Sequence, residues 1–126
     1  MINPLTRPTT LLRIEGLAML AAGLVLYARL GGSWVLFAVL LLAPDLSMLG
    51  YLRGPRIGAT TYNLFHLYLW PAGLGVAGLL MGNPTSLWLA LIWSSHISGD
   101  RALGYGLKLP TAFNDTHLGR IGAASR

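Results

Sequence analysis

The chain has 126 residues, 54% of them hydrophobic and 10% charged, with a formal net charge of +5 and a mean hydropathy of +0.60. A soluble domain carries about 25% charged residues, so this composition cannot build a water-soluble surface, and the bilayer is the expected solvent. The basic residues are scattered singly, which excludes a nucleic-acid-binding face, and the absence of cysteine excludes disulfides, thiolate metal sites and dithiol redox chemistry.

Four apolar segments follow one another, at about residues 10–30, 34–52, 59–82 and 86–107. Each approaches the ~20 residues that cross a hydrocarbon core as a helix. The first begins near Thr10 with no typical cleavage site behind it, so it reads as a span and not as a signal peptide. The links GGS, RGPRIG and GNPTS are short and rich in helix breakers. Short links force antiparallel neighbours. The expectation is therefore one all-α domain over residues 1–126, an integral membrane four-helix up-down bundle with a short cytoplasmic C-terminal tail at 109–126. Arg7, Arg53, Arg56, Lys108, Arg120 and Arg126 would lie at one end and only Arg29 at the other. The positive-inside rule then predicts an inner-membrane protein with both termini in the cytoplasm.

The ionisable residues within the spans predict a polar layer. Glu15, Asp45, His66, His96 and Asp100 come from four different segments, and at ~1.5 Å per residue most of them sit roughly 8–11 Å inside the cytoplasmic boundary. A charge near a helix centre costs ~2.5–3.5 kcal/mol to insert. Arg13, Glu15, Asp45, Asp100 and Arg101 must therefore face one another or a wet pocket. The spacing permits it. His96 and Asp100 are four residues apart and share a helix face, as do Tyr62 and His66, with Asn63 nearly alongside. Glu15 shares a stripe with Ala18 and Ala22, where a neighbouring helix could approach closely. Pro44 and Pro71 break local helical bonds, and Gly99, Gly104 and Gly106 predict that the last span ends early, near Arg101.

The strings LLRIEG, PDLSMLGYL, YNLFHLY, HISGDRALGYGLK and DTHLGRIG resemble those of a bacterial membrane-protein family known as domain of unknown function 4260. The resemblance covers Leu11 to Gly122. It implies a small multi-span membrane protein, carries over no catalytic role, and draws Asp115 and His117 of the tail into a motif.

The polar layer supports several functional readings. His66, His96 and Asp100, with Asp45 and Glu15 nearby, offer the mixed nitrogen and oxygen set that suits a divalent transition metal such as Zn, Mn or non-haem Fe. Asp100, Glu15 and Asp45 would serve catalysis, with Ser47 or His117 assisting, on a lipid or small amphipathic substrate. Arg101, Tyr105, Asn63 and Arg13 are the candidate ligand-binding residues. A bis-histidine haem through His66 and His96 is a further possibility. Transport of protons or ions is another, although the outer half of every span lacks polar steps. The last alternative is a structural or assembly subunit, a homo-oligomer or part of a larger membrane complex, whose arginines pair with the acids to fix register.

Overall fold

The computed structural model describes residues 3–108 and 115–120. A short 3₁₀ turn, Pro4–Thr6, leads into α1, Pro8–Arg29. Then follow α2, Trp34–Leu40, a 3₁₀ segment Ala43–Arg53, α3, Pro55–Phe65, α4, Leu69–Met81, and α5, Pro84–Leu103. A small antiparallel hairpin closes the described chain, with β1 (Asp115–Thr116) paired to β2 (Gly119–Arg120). Helix starts carry proline in the first turn of α1, α3 and α5, where the missing N–H costs nothing. The Asn83 side chain caps α5 by accepting from Thr85 and Ser86 N–H, at 3.1 and 3.4 Å.

Three helical stretches are long and apolar enough to cross a membrane: Pro8–Arg29, Trp34–Arg53 and Pro55–Met81. The last two are not continuous α-helices. The second changes to 3₁₀ geometry at Ala43, next to Pro44, and the third is interrupted over residues 66–68. That interruption precedes Pro71, which lacks the N–H that would reach back to residue 67 and whose ring crowds that carbonyl. Irregular backbone at membrane depth has to be satisfied by protein, and here side chains do it. Ser47 Oγ donates to Pro44 O at 2.7 Å, Thr61 Oγ1 to Ser47 O at 2.9 Å and Trp93 Nε1 to Phe65 O at 2.7 Å.

α5 is the central element and runs antiparallel to both of its main neighbours. Arg13 Nε donates to Ala102 O at one end of α1, and Trp88 Nε1 donates to Leu30 O at the other, both at 3.1 Å. Between them Gly16 and Gly23 of α1 are buried against α5. A Cβ on Gly16 would stand 2.5 Å from Arg101 Cβ and 2.8 Å from Ala102 N, so this close approach requires glycine. The contact stripe is therefore Gly16, Gly23 and Tyr27, and the expected stripe through Glu15, Ala18 and Ala22 is corrected, since all three are exposed. One residue along a helix turns the side chain by about 100°, enough to exchange the packed face for the outer one. α4 pairs with α5 through Tyr68 and Ser98 (OH to Oγ, 2.8 Å) and through Gly78 against Ser86.

α5 ends at Leu103, with Gly104 left-handed at φ 89°. The helix thus outlasts the expected early stop near Arg101 by two residues, yet stops short of residue 107. The chain after it folds back. Lys108 forms a bridge with Thr116, and Leu107 and His117 exchange two hydrogen bonds: His117 N–H to Leu107 O at 2.9 Å, and Leu107 N–H to His117 Nδ1 at 2.7 Å. The expected tail at residues 109–126 is otherwise outside the described residues, except for this hairpin.

Candidate metal centre

Asp45 stands in the 3₁₀ segment just after Pro44, and His66 caps the C-terminus of α3 at φ −114°. Both helix breaks thus carry a side chain of the site. His96 and Asp100 are one turn apart on unbroken α5. The four converge, with one ligand atom of each lying within 4.8 Å of all the others. His66 Nε2 is 3.2 Å from Asp45 Oδ1, 3.0 Å from His96 Nε2 and 3.5 Å from Asp100 Oδ2. His96 Nε2 is 3.0 Å from Asp45 Oδ1 and 3.2 Å from Asp100 Oδ2. The imidazoles are deeply buried, at 2% and 5% exposed, while the Asp45 side chain keeps 29% of its surface.

The donor atoms of this cluster need a proton or a cation between them. His66 Nδ1 lies 2.7 Å from Tyr62 O, and a carbonyl only accepts, so Nδ1 carries the hydrogen. A neutral His66 therefore points a lone pair at the cluster, which is the orientation device seen in metal-ligating histidines. The Tyr62 ring stacks on the same imidazole at 3.7 Å and holds its plane. Two carboxylate oxygens and a second imidazole nitrogen face that lone pair. Asp100 Oδ2 is buried and accepts no hydrogen bond among the described residues, although it lies 3.2 Å from His96 Nε2. Four electron-rich atoms at such separations repel unless protons or a metal ion join them. Bonds of about 2.0–2.1 Å place neighbouring donors about 3.3 Å apart in a tetrahedral set and about 3.0 Å apart in an octahedral one. The five separations that involve a histidine, 3.0–3.5 Å, span those two values, and the whole set lies within 4.8 Å. Haem does not fit. Axial nitrogens on opposite faces of a macrocycle stand roughly 4 Å apart, whereas these are 3.0 Å apart.

The remaining predicted site residues divide. Glu15 is exposed on α1, outside the cluster. Arg13 is used on the Ala102 carbonyl. Arg101 Nη2 donates to His66 O at 3.4 Å and so flanks the cluster. Asn63 does not face the cluster but clamps the chain after α5. Its Nδ2 donates to Lys108 O at 2.8 Å, and its Oδ1 accepts from Lys108 N–H. Tyr105 is 40% exposed, with its N–H on Asp100 O at 2.7 Å. Among the described residues no arginine pairs with a carboxylate; the ion pairs there join histidine to aspartate.

Lys108 is a site neighbour that hydropathy does not reveal. Its Nζ lies 4.8 Å from the Tyr62 ring centroid, and the residue is 4% exposed. Burial pushes its pKa down, against an upward pull from Asp100 and Asp45. On the far side of the cluster, about 310 Å³ of apolar cavity opens between α2, the 3₁₀ segment, α3, α4 and α5, with Pro44, Phe65, Ile92 and Trp93 among its walls.

Comparison with curated proteins returns no match, and neither does comparison with solved structures. Residues 9–121 match the family model described as Domain of unknown function (DUF4260), and the chain belongs to that family.

Proposed function

We propose that this chain is a four-crossing inner-membrane metalloprotein that binds one divalent transition ion through Asp45, His66, His96 and Asp100, for hydrolysis of a lipid or small amphipathic substrate at the cytoplasmic leaflet. The observation that carries the reading is the convergence of four donor atoms from three segments within 4.8 Å of one another, with His66 locked in the tautomer a ligand needs. The fourth crossing is supported by α5 itself. Its 20 residues span about 30 Å, and it is hydrogen-bonded to α1 near both ends. The positive-inside distribution supports cytoplasmic termini.

A bound ion would supply Lewis acidity and lower the pKa of a coordinated water. The identity of the ion decides how far this goes. Zinc held tetrahedrally by all four side chains has no open position, whereas an ion that prefers six ligands keeps two. The second case favours manganese or iron. Arg101 and Lys108 place positive charge beside the cluster, which suits an anionic group on the substrate. Elemental analysis of purified protein tests the reading: near-stoichiometric transition metal is expected, absent in a His96→Ala, Asp100→Ala double variant. Metal-free wild-type protein would overturn it.

One observation favours an assembly role beside this one. Glu15 is exposed on α1 at membrane depth, where an unpaired carboxylate costs up to ~2.5–3.5 kcal/mol unless a neighbouring copy or another protein supplies a partner. A Glu15→Gln variant with an altered particle mass in detergent supports that role; an unchanged mass removes it.

A further inference from the structure

The apolar cavity and the cations lie on opposite sides of the metal cluster. Pro44 precedes Asp45, Phe65 precedes His66, and Ile92 stands one turn from His96 on the same face of α5. The cavity therefore begins where the ligands end and continues deeper between the helices toward Leu89 and Leu74. Its volume, about 310 Å³, is at the small end for ligand pockets and suits part of one chain. Phe65 in its wall is 47% exposed, on the flank of a spanning stretch. On the other side stand Arg101, bonded to the His66 carbonyl, and Lys108, over the Tyr62 ring. Arg101 and Lys108 add positive charge beside the ion and its two aspartates.

We infer that the substrate is a single-chain lipid with a phosphomonoester head, taken from the bilayer, its phosphate on the ion between Arg101 and Lys108 and its acyl chain in the cavity. The inference rests on the metal reading for its head-group half. Positive charge beside the ion favours an anionic phosphate over a zwitterionic head. The direction fits a leaflet lipid, whose head lies at the interface while its chain points to the midplane.

The test uses the full chain in phosphatidylcholine vesicles and a monoacyl lysophosphatidic acid carrying a diazirine near the end of its chain, with the matching lysophosphatidylcholine for comparison. After illumination, label is expected to concentrate on peptides bearing Phe65 and Trp93, over the exposed, lipid-facing Leu79 and Leu80. Ala43→Phe, which fills the cavity, is expected to cut that label about tenfold while metal content holds. Leu74→Trp does the same from the opposite wall, should Ala43→Phe fail to fold. Uniform labelling, label that survives both substitutions, or equal capture of the zwitterionic analogue would overturn the inference. Metal content is read on the same samples. Uniform labelling of metal-loaded protein overturns the lipid inference alone, whereas metal-free protein overturns the ion and with it the head-group half.

Discussion

The half of the bundle that holds the His–Asp cluster, called inner below, and the half away from it, called outer, solve the same problem differently. In the outer half, α4 and the first part of α5 are regular helices that hold together by small residues, Gly78 against Ser86 and Gly75 against Ala90. At the outer corner Tyr27 packs edge-on against Trp34 and Phe37, with ring centroids 5.0 and 5.2 Å away. In the inner half two of the spans are broken, and the freed backbone and four ionisable side chains are served by one network. Regularity is the inexpensive way to cross lipid, since it satisfies every amide locally. The breaks bring Asp45 and His66 to α5 at one depth, and Ser47, Thr61, Trp93 and Arg101 absorb the backbone cost.

Several substitutions sharpen this contrast. The largest effect is expected at the cluster: Asp45→Asn removes a charged donor atom and should weaken metal binding by more than about 100-fold, beyond the roughly 10–100-fold lost when only a hydrogen-bond partner of a ligand is removed, as measured by competition with a chelator. Gly16→Ala in the inner half should cost about 1–3 kcal/mol by overpacking α1 on α5, read as a lowered unfolding midpoint in detergent. The same substitution at Gly75 in the outer half meets only Ala90, at 3.6 Å. It should instead be neutral or stabilising by up to ~1 kcal/mol through helix propensity. Equal effects at the two glycines would remove the distinction between the halves. Asn63→Ala strips two hydrogen bonds from the Lys108 backbone and should cost about 1–2 kcal/mol, seen as faster hydrogen exchange at Lys108 with the α1–α5 contact intact.

The smallest expected effect is one of pH. Burial, and then the charge of Arg101, depress the pKa of His117 below its ordinary 6.5, and its Nδ1 accepts from Leu107 N–H only when unprotonated. A depressed imidazole contributes stability above its unfolded value, about 6.5, that is lost as pH falls through the lower folded value. Exchange protection at Leu107 and His117 should therefore hold at pH 7.5 and drop below about pH 6. Constant protection across that range would dissociate the hairpin from this titration.

Much of this arrangement was legible in the residues. Counting depth along each apolar run places Asp45, His66, His96 and Asp100 at one level, because rise per residue is fixed in a helix. The same count places Glu15 there too, and fails, because depth says nothing about azimuth. Gly16, one position on, takes the packed face, and glycine carries no hydropathy signal to announce it. Pro44 marks a break where one occurs. Pro71 marks its break less directly, because the interruption falls at residues 66–68, before the proline. Burial of Lys108 had no local signature. It follows from the return of the chain after Gly104 and from the two-ended amide clamp of Asn63, a contact between residues 45 positions apart.

The most direct test of the central claim is X-ray absorption at the edge of whichever transition metal purified protein contains. The account predicts one ion per chain with only nitrogen and oxygen donors at about 2.0–2.2 Å and outer-shell scattering from imidazole, lost in the His96→Ala, Asp100→Ala variant. An ion with no imidazole signature, or the same spectrum from that variant, would contradict it.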